Sequence, residues 1–161
     1  MDKKFMEIAL DEAKIAALKD EVPVGAVIVK NGEVIASAHN LRETLNDPTA
    51  HAEILAIKKA SSILKNWRLN ECEMYVTLEP CPMCAGAIIN SRIKDVYFGA
   101  MDPKAGACGS VVDLFSVEKF NHHPHVIRGL FQEKSSQMLK DFFREIRKKQ
   151  KEAKKQVEKL N

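Results

Sequence analysis

The sequence predicts a single α/β domain: a mixed sheet of about five strands with helices on both faces. Three observations carry this expectation. The 161 residues, 45% hydrophobic and 29% charged, are an ordinary globular composition at the length of one domain. Two β-prone runs flank Asn31-Gly32, the strongest short hairpin signal a sequence offers, so part of the sheet is antiparallel. Later in the chain a strand, a helix and a strand follow one another through short links, which demands a right-handed parallel crossover.

The elements follow in order. Phe5, Ala9, Ala13 and Ala16 recur at helical spacing, so the first twenty residues read as an amphipathic helix that Pro23 stops. Val24–Val29 and Val34–Ala38 are the hairpin strands. Asn40–Pro48 is a polar loop, and Asp47-Pro48-Thr49 offers an N-cap and a first-turn proline for a helix running to about Leu64. Glu73–Leu78 alternates as a strand, Pro80-Cys81-Pro82 turns the chain into a small-residue helix over Met83–Ser91, and Asp95–Phe98 is the next strand. Gly99–Ser110 is too rich in chain breakers to be a linker and reads as a loop with a function. Val126–Arg128 adds a short fifth strand, and Glu133 to about Lys154 is a long final helix whose last turns are too polar to be buried.

Composition excludes some functions and favours others. Apolar runs such as Val24–Val29 and Ala85–Ile89 fall far short of the roughly 20 residues that cross a bilayer. Acids among the first seven residues break any signal-peptide core, so the chain is expected in the cytoplasm. There, four cysteines serve as metal ligands, catalytic groups or buried hydrophobes rather than as a disulfide framework. The net charge of +3 conceals an asymmetry: residues 144–161 carry eight Lys or Arg against three Glu, leaving the rest slightly negative. An anionic partner met at the C-terminus is the implication.

His51-Ala52-Glu53 opens one helix and Pro80-Cys81-Pro82-Met83-Cys84 opens another. Cys81 and Cys84 stand three apart on one face of a turn, where the positive end of the helix dipole lowers thiol pKa. With His51 they make three ligands of the kind zinc accepts, and a catalytic zinc keeps its fourth place for water. Positions two apart on a helix point about 200° from each other, so His51 and Glu53 converge only at the helix mouth. A carboxylate there can take a proton from water that zinc has acidified and hand it to a leaving group, which is hydrolytic deamination chemistry.

H-x-E followed by P-C-x-x-C is the signature of zinc-dependent nucleobase deaminases. Beyond it the chain resembles bacterial tRNA adenosine deaminases of the TadA type over nearly its whole length. The resemblance rests on Glu21–Val27, Asp47–Glu53, Tyr75–Ala87, Ser91-Arg92-Ile93 and Phe98-Gly99-Ala100. The stretches Asp102–Ser110 and Asp141–Arg144 are the parts that separate this family from other deaminases. The resemblance implies a cytidine-deaminase-like three-layer fold, with residues 1–143 as the zinc-dependent domain and 144–161 as a basic helical extension of it. It implies one zinc per chain on His51, Cys81 and Cys84, with Glu53 as proton shuttle. Asn40 and Asp102 match residues lining the pocket of the flipped nucleotide. Lys104, Phe143, Arg144 and Arg147 match a region that contacts the anticodon loop. The implied substrate is the wobble adenosine of an arginine tRNA, bound through its anticodon stem-loop, and the implied assembly is a homodimer. Neither a nucleotide cofactor nor a membrane partner is expected. Met101 beside Asp102, and Cys108 as an extra thiol in the substrate loop, depart from the pattern.

Plainer readings stand beside these. Cys81-x-x-Cys84 alone fits a redox pair or half of a structural zinc knuckle, whose fourth ligand would be Cys72 or Cys108, although Cys72 reads as a half-buried strand-edge residue. Asn40 and Asp102 are ordinary turn formers. His122, His123 and His125 read as solvated loop histidines, and His39 as structural. The lysine-rich tail fits a solvated helix end, but Phe142-Phe143 before Arg144 adds a stacking surface to phosphate contacts, with one Phe expected in the core. The enzymatic rival is a small-molecule deaminase acting on guanine, cytosine or a nucleotide. The rival of another class is an RNA-binding module with structural zinc, for which Glu53 would have no use.

Overall fold

Alternation in β1, Gly25–Lys30, sends Ala26 and Ile28 to one face of the sheet and Val27 and Val29 to the other, and all four are buried. The computed structural model, which describes all residues from Met1 to Asn161, sets this strand between β2 (Glu33–His39) and β3 (Cys72–Leu78). β4 (Asp95–Ala100) and β5 (His125–Arg128) complete a five-stranded sheet of order β2-β1-β3-β4-β5. β1 is antiparallel to both neighbours, whereas β3, β4 and β5 are mutually parallel. α1 (Lys3–Leu18) and α4 (Gln132–Leu160) cover one face, and α2 (Ala52–Leu64) and α3 (Pro82–Ser91) the other. The mixed three-layer sandwich is the one the sequence predicts.

Each layer has its own apolar filling. Phe5, Met6, Ala9 and Leu10 of α1 meet Val27, Val29, Tyr75 and Tyr97, with the two tyrosine rings stacked at 4.5 Å between centroids. Opposite them, Ala52, Ala56 and Ala60 of α2 and Ala85 and Ile88 of α3 pack on Met74, Val76, Val96 and Phe98. Alanines at turn-by-turn spacing leave little between α2 and the sheet, so the helix axis and its first turn are fixed by close packing.

The hairpin turn has φ of +52° at Asn31 and +75° at Gly32, the positive pair a two-residue type I′ turn requires. Three boundaries and one burial differ from expectation. α1 ends at Leu18 rather than at Pro23, because Asp20 turns left-handed at φ +59° and Glu21 N–H donates back to Ala16 O at 3.0 Å. α2 begins at Ala52, not after Asp47: the Asp47 carboxylate accepts from Thr49 N–H at 2.8 Å and Thr49 Oγ–H at 2.7 Å and so builds a separate turn. Cys72 is fully buried, since β3 is a central strand with partners on both edges. α4 continues to Leu160, its Lys, Glu, Gln and Ala sustaining the helix without burial, and it passes through residues 143 and 144 unbroken. No helix is long and apolar enough to cross a membrane.

Candidate active site

The β3-α3-β4 crossover delivers the start of α3 to the end of β3, and α2 packs beside α3. His51 is the N-cap of α2 and Cys81 the N-cap of α3, both extended, and neither spends its side chain on a cap hydrogen bond. Pro82 occupies the first turn of α3, where its missing N–H costs nothing. The two caps therefore face each other. His51 Nδ1 lies 3.6 Å from Cys81 Sγ and 3.5 Å from Cys84 Sγ, and the three donor atoms fall within 4.8 Å of one another. Ligands at the usual zinc bond lengths in tetrahedral array stand about 3.6 Å apart, so one imidazole and two thiols here fit that metal. Cys72 and Cys108 lie outside the group. Three candidate protein ligands match the number a catalytic zinc takes, whereas a structural zinc takes four.

Glu53, in the first turn of α2, is only 4% exposed, and burial raises its carboxyl above the ordinary carboxylate range. The hydrogen bond with Cys84, reinforced by His51, lowers the Cys81 thiol to about 4. That same contact and burial push Cys84 up, and the contact with Cys81 raises His51. A buried carboxyl thus stands beside a His/Cys/Cys cluster suited to a divalent cation.

A cleft of about 1030 Å³ opens above this cluster. Of the ten residues singled out in the sequence, nine line it: Asn40, His51, Glu53, Cys81, Asp102, Lys104, Phe143, Arg144 and Arg147; Cys84 lies buried beneath. Asn40 and Asp102 also do the turn work expected of them. Asn40 Oδ1 accepts from Arg42 N–H at 3.1 Å, and Asp102 Oδ1 from Lys104 N–H at 3.1 Å and Ala105 N–H at 3.2 Å. Phe142 is half-buried and Phe143 42% exposed, so neither belongs fully to the core; they meet edge to face at 5.4 Å.

Sequence reasoning passed over Arg42, Lys140 and the buried Glu79, which also line the cleft, and the buried Glu21 beyond its wall. Glu79 stands just before Pro80-Cys81-Pro82, and only its long-range partners reveal its use. Cys108 is a buried loop anchor rather than an accessible thiol, its N–H donating to Glu79 Oε2 at 3.0 Å. His39 is structural, Nδ1 standing 2.6 Å from Glu12 Oε2. His122 and His123 reach backbone carbonyls at 2.6 and 2.9 Å, and no second metal group exists.

A His/Cys/Cys group that could hold a metal, a buried carboxyl at its edge and two facing helix mouths on a mixed three-layer sandwich are the features of a deaminase of the cytidine-deaminase-like fold. A model of the MafB19-like deaminase family matches residues 1–147. The tRNA-specific adenosine deaminase of Bacillus subtilis is 53% identical over 156 residues, covering 97% of each chain. The chain belongs to the tRNA-specific adenosine deaminase family. A solved structure from a study of A-to-I editing by tRNA:A34 deaminases at the wobble position superimposes with a TM-score of 0.83 at 49% identity. It covers 86% of this chain and 100% of its own. The guanine deaminase of Bacillus subtilis is less similar, with a TM-score of 0.61 and 42% identity over 71% of this chain and 74% of its own.

Proposed function

We propose that the protein converts the wobble adenosine of a tRNA anticodon, that of an arginine tRNA, to inosine, with one zinc held by His51, Cys81 and Cys84. The observation that carries this reading is the placement of Glu53 and the ligand group at the floor of a cleft whose rim is cationic and aromatic. His51, Cys81 and Cys84 would hold the zinc, which when bound would supply an acidified water, its pKa lowered to about 7, as the nucleophile. Glu53 would take one proton from the attacking water and deliver it to the purine ring, then take the proton of the hydroxyl newly formed on C6 and deliver it to the departing amine. Adenosine and water thereby become inosine and ammonia. Asn40 and Asp102 hold the extruded base between the two walls of the cleft. Lys104, Arg144 and Arg147 meet phosphates, and Phe143 offers a stacking face to a flanking base.

A loop nucleotide reaches such a site at low cost, because it leaves no duplex stack. The cleft is also larger than a free base fills, at the top of the roughly 300–1,000 Å³ usual for small-molecule pockets. Three arginines and two lysines line it, Arg42, Arg144, Arg147, Lys104 and Lys140, which suits a polyanion better than neutral guanine. The working form is a homodimer in the cytoplasm, as the family resemblance implies. Parallel assays of ammonia release from an anticodon stem-loop and from free guanine separate the two chemistries. The stem-loop is the expected substrate, and preference for guanine overturns the reading.

A further inference from the structure

Two buried carboxylates outside the metal group, Glu79 at the cleft lining and Glu21 beyond it, each hold one of the loops that form the cleft walls. Glu79 is 2% exposed and Glu21 fully buried. Glu79 Oε1 accepts from Asp102 N–H at 3.0 Å and from the Ser110 hydroxyl. Its Oε2 accepts from Cys108 N–H at 3.0 Å and Ser110 N–H at 3.1 Å. Every donor comes from the loop that carries Asp102 and Lys104 into the cleft. Gly106 seals the arrangement: a Cβ there would stand 2.3 Å from the Glu79 carboxylate, so the loop closes on it only with glycine. Glu21 does the same on the other side. Its Oε1 accepts from Glu43 N–H at 3.0 Å, and its Oε2 from Thr44 N–H at 2.7 Å and Thr44 Oγ–H at 2.6 Å, from the loop that follows Asn40 and Arg42.

We infer that Glu21 and Glu79 are positioning residues for deamination, each fixing one wall of the nucleotide pocket through a buried carboxylate that satisfies the otherwise unpaired donors of its loop. The inference rests on the proposed reaction for its kinetic consequences, but the loop ordering stands on the hydrogen bonds alone. An irregular loop has few backbone partners of its own, and a carboxylate with up to four acceptor sites is the one side chain able to collect three or four donors at a point. Amide replacement is therefore not conservative. In Glu79→Gln the NH₂ must face either Asp102 N–H or the pair from Cys108 and Ser110, setting donor against donor.

The test uses the full-length, zinc-loaded protein. Glu79→Gln and Glu21→Gln are compared with the milder Ser110→Ala and Thr44→Val, which remove one hydroxyl donor each and keep the fold if the amide variants do not. In hydrogen exchange, the Glu79 and Ser110 variants should speed exchange at residues 102–110 and leave 41–47 unchanged, and the Glu21 and Thr44 variants should do the reverse. On an anticodon stem-loop, Glu79→Gln should retain metal yet lose about 10²-fold in kcat/KM, the scale of a small misplacement at a reacting centre. That loss should shrink several-fold in an Asp102→Ala background. Exchange that stays unchanged in both loops, or Glu79 and Asp102 effects that multiply independently, overturns the inference. A wild-type protein inactive on the stem-loop, with the two exchange patterns intact, instead overturns the substrate reading and leaves the loop assignment standing.

Discussion

On the proposed mechanism Glu53 meets two demands: it must be shielded from bulk water and near enough to the ligand group to move protons there. Its burial beside His51 and Cys84 meets both. Glu53→Ala should keep zinc and fold while turnover drops at least 10²–10⁴-fold, roughly the usual contribution of a positioned proton-transfer group. Elemental analysis alongside single-turnover kinetics checks this, and a variant retaining a tenth of normal turnover would falsify the role. Cys84→Ala should lose metal and activity together, because it removes a buried ligand rather than a shuttle. The cluster of His51, Cys81 and Cys84 and its neighbour Glu53 were legible as a candidate site because their spacing is local and their chemistry distinctive. Glu21 and Glu79 were not, since their partners lie over twenty positions away and an isolated glutamate carries no signal of what it will accept.

At the scale of elements, the Glu21 hydrogen bonds make the loop after β2 a part of the fold with its own pH dependence. Burial works to raise the Glu21 carboxyl, but hydrogen bonds from Thr44 and Glu43 outweigh it and hold it below the ordinary value of 4.5. A group depressed in the folded state stabilises above its unfolded pKa and loses that contribution as pH falls through the folded one. Acid should therefore destabilise the wild type more than Thr44→Val, whose carboxylate has one donor fewer; melting curves between pH 6 and 3 read the difference. α4 makes a different prediction. Beyond residue 147 it carries six lysines against two glutamates, all exposed. Removing residues 148–161 should leave zinc in place, weaken RNA binding and flatten its log–log salt dependence by about 0.7 for each phosphate that those lysines would otherwise neutralise. An unchanged salt slope in a filter-binding titration contradicts an RNA role for that segment. The helix itself was plain in its composition, whereas its last turns and the late start of α2 escaped, because burial does not mark the former and no side-chain cap marks the latter.

On the scale of the whole molecule, the sheet order explains why the fold could be read and where reading stopped. The hairpin and the parallel crossover are local signals, and together they imposed a mixed sheet. Which strands occupy the centre is a long-range outcome, so Cys72 looked like an edge residue until β1 and β4 closed on either side of β3. The proposed metal group spans two helices from different parts of the chain, and metal bound at such a joint would add its binding free energy to folding. Chelation should lower the melting temperature as well as abolish turnover, and a melting temperature indifferent to zinc would leave the ligands without a structural consequence. The reaction itself is decided by sequencing a bulk tRNA pool before and after incubation with the zinc-loaded protein. Adenosine-to-inosine conversion at the wobble position of an arginine tRNA, absent with Glu53→Ala, is the expected result; unchanged tRNA alongside rapid ammonia release from free guanine contradicts it.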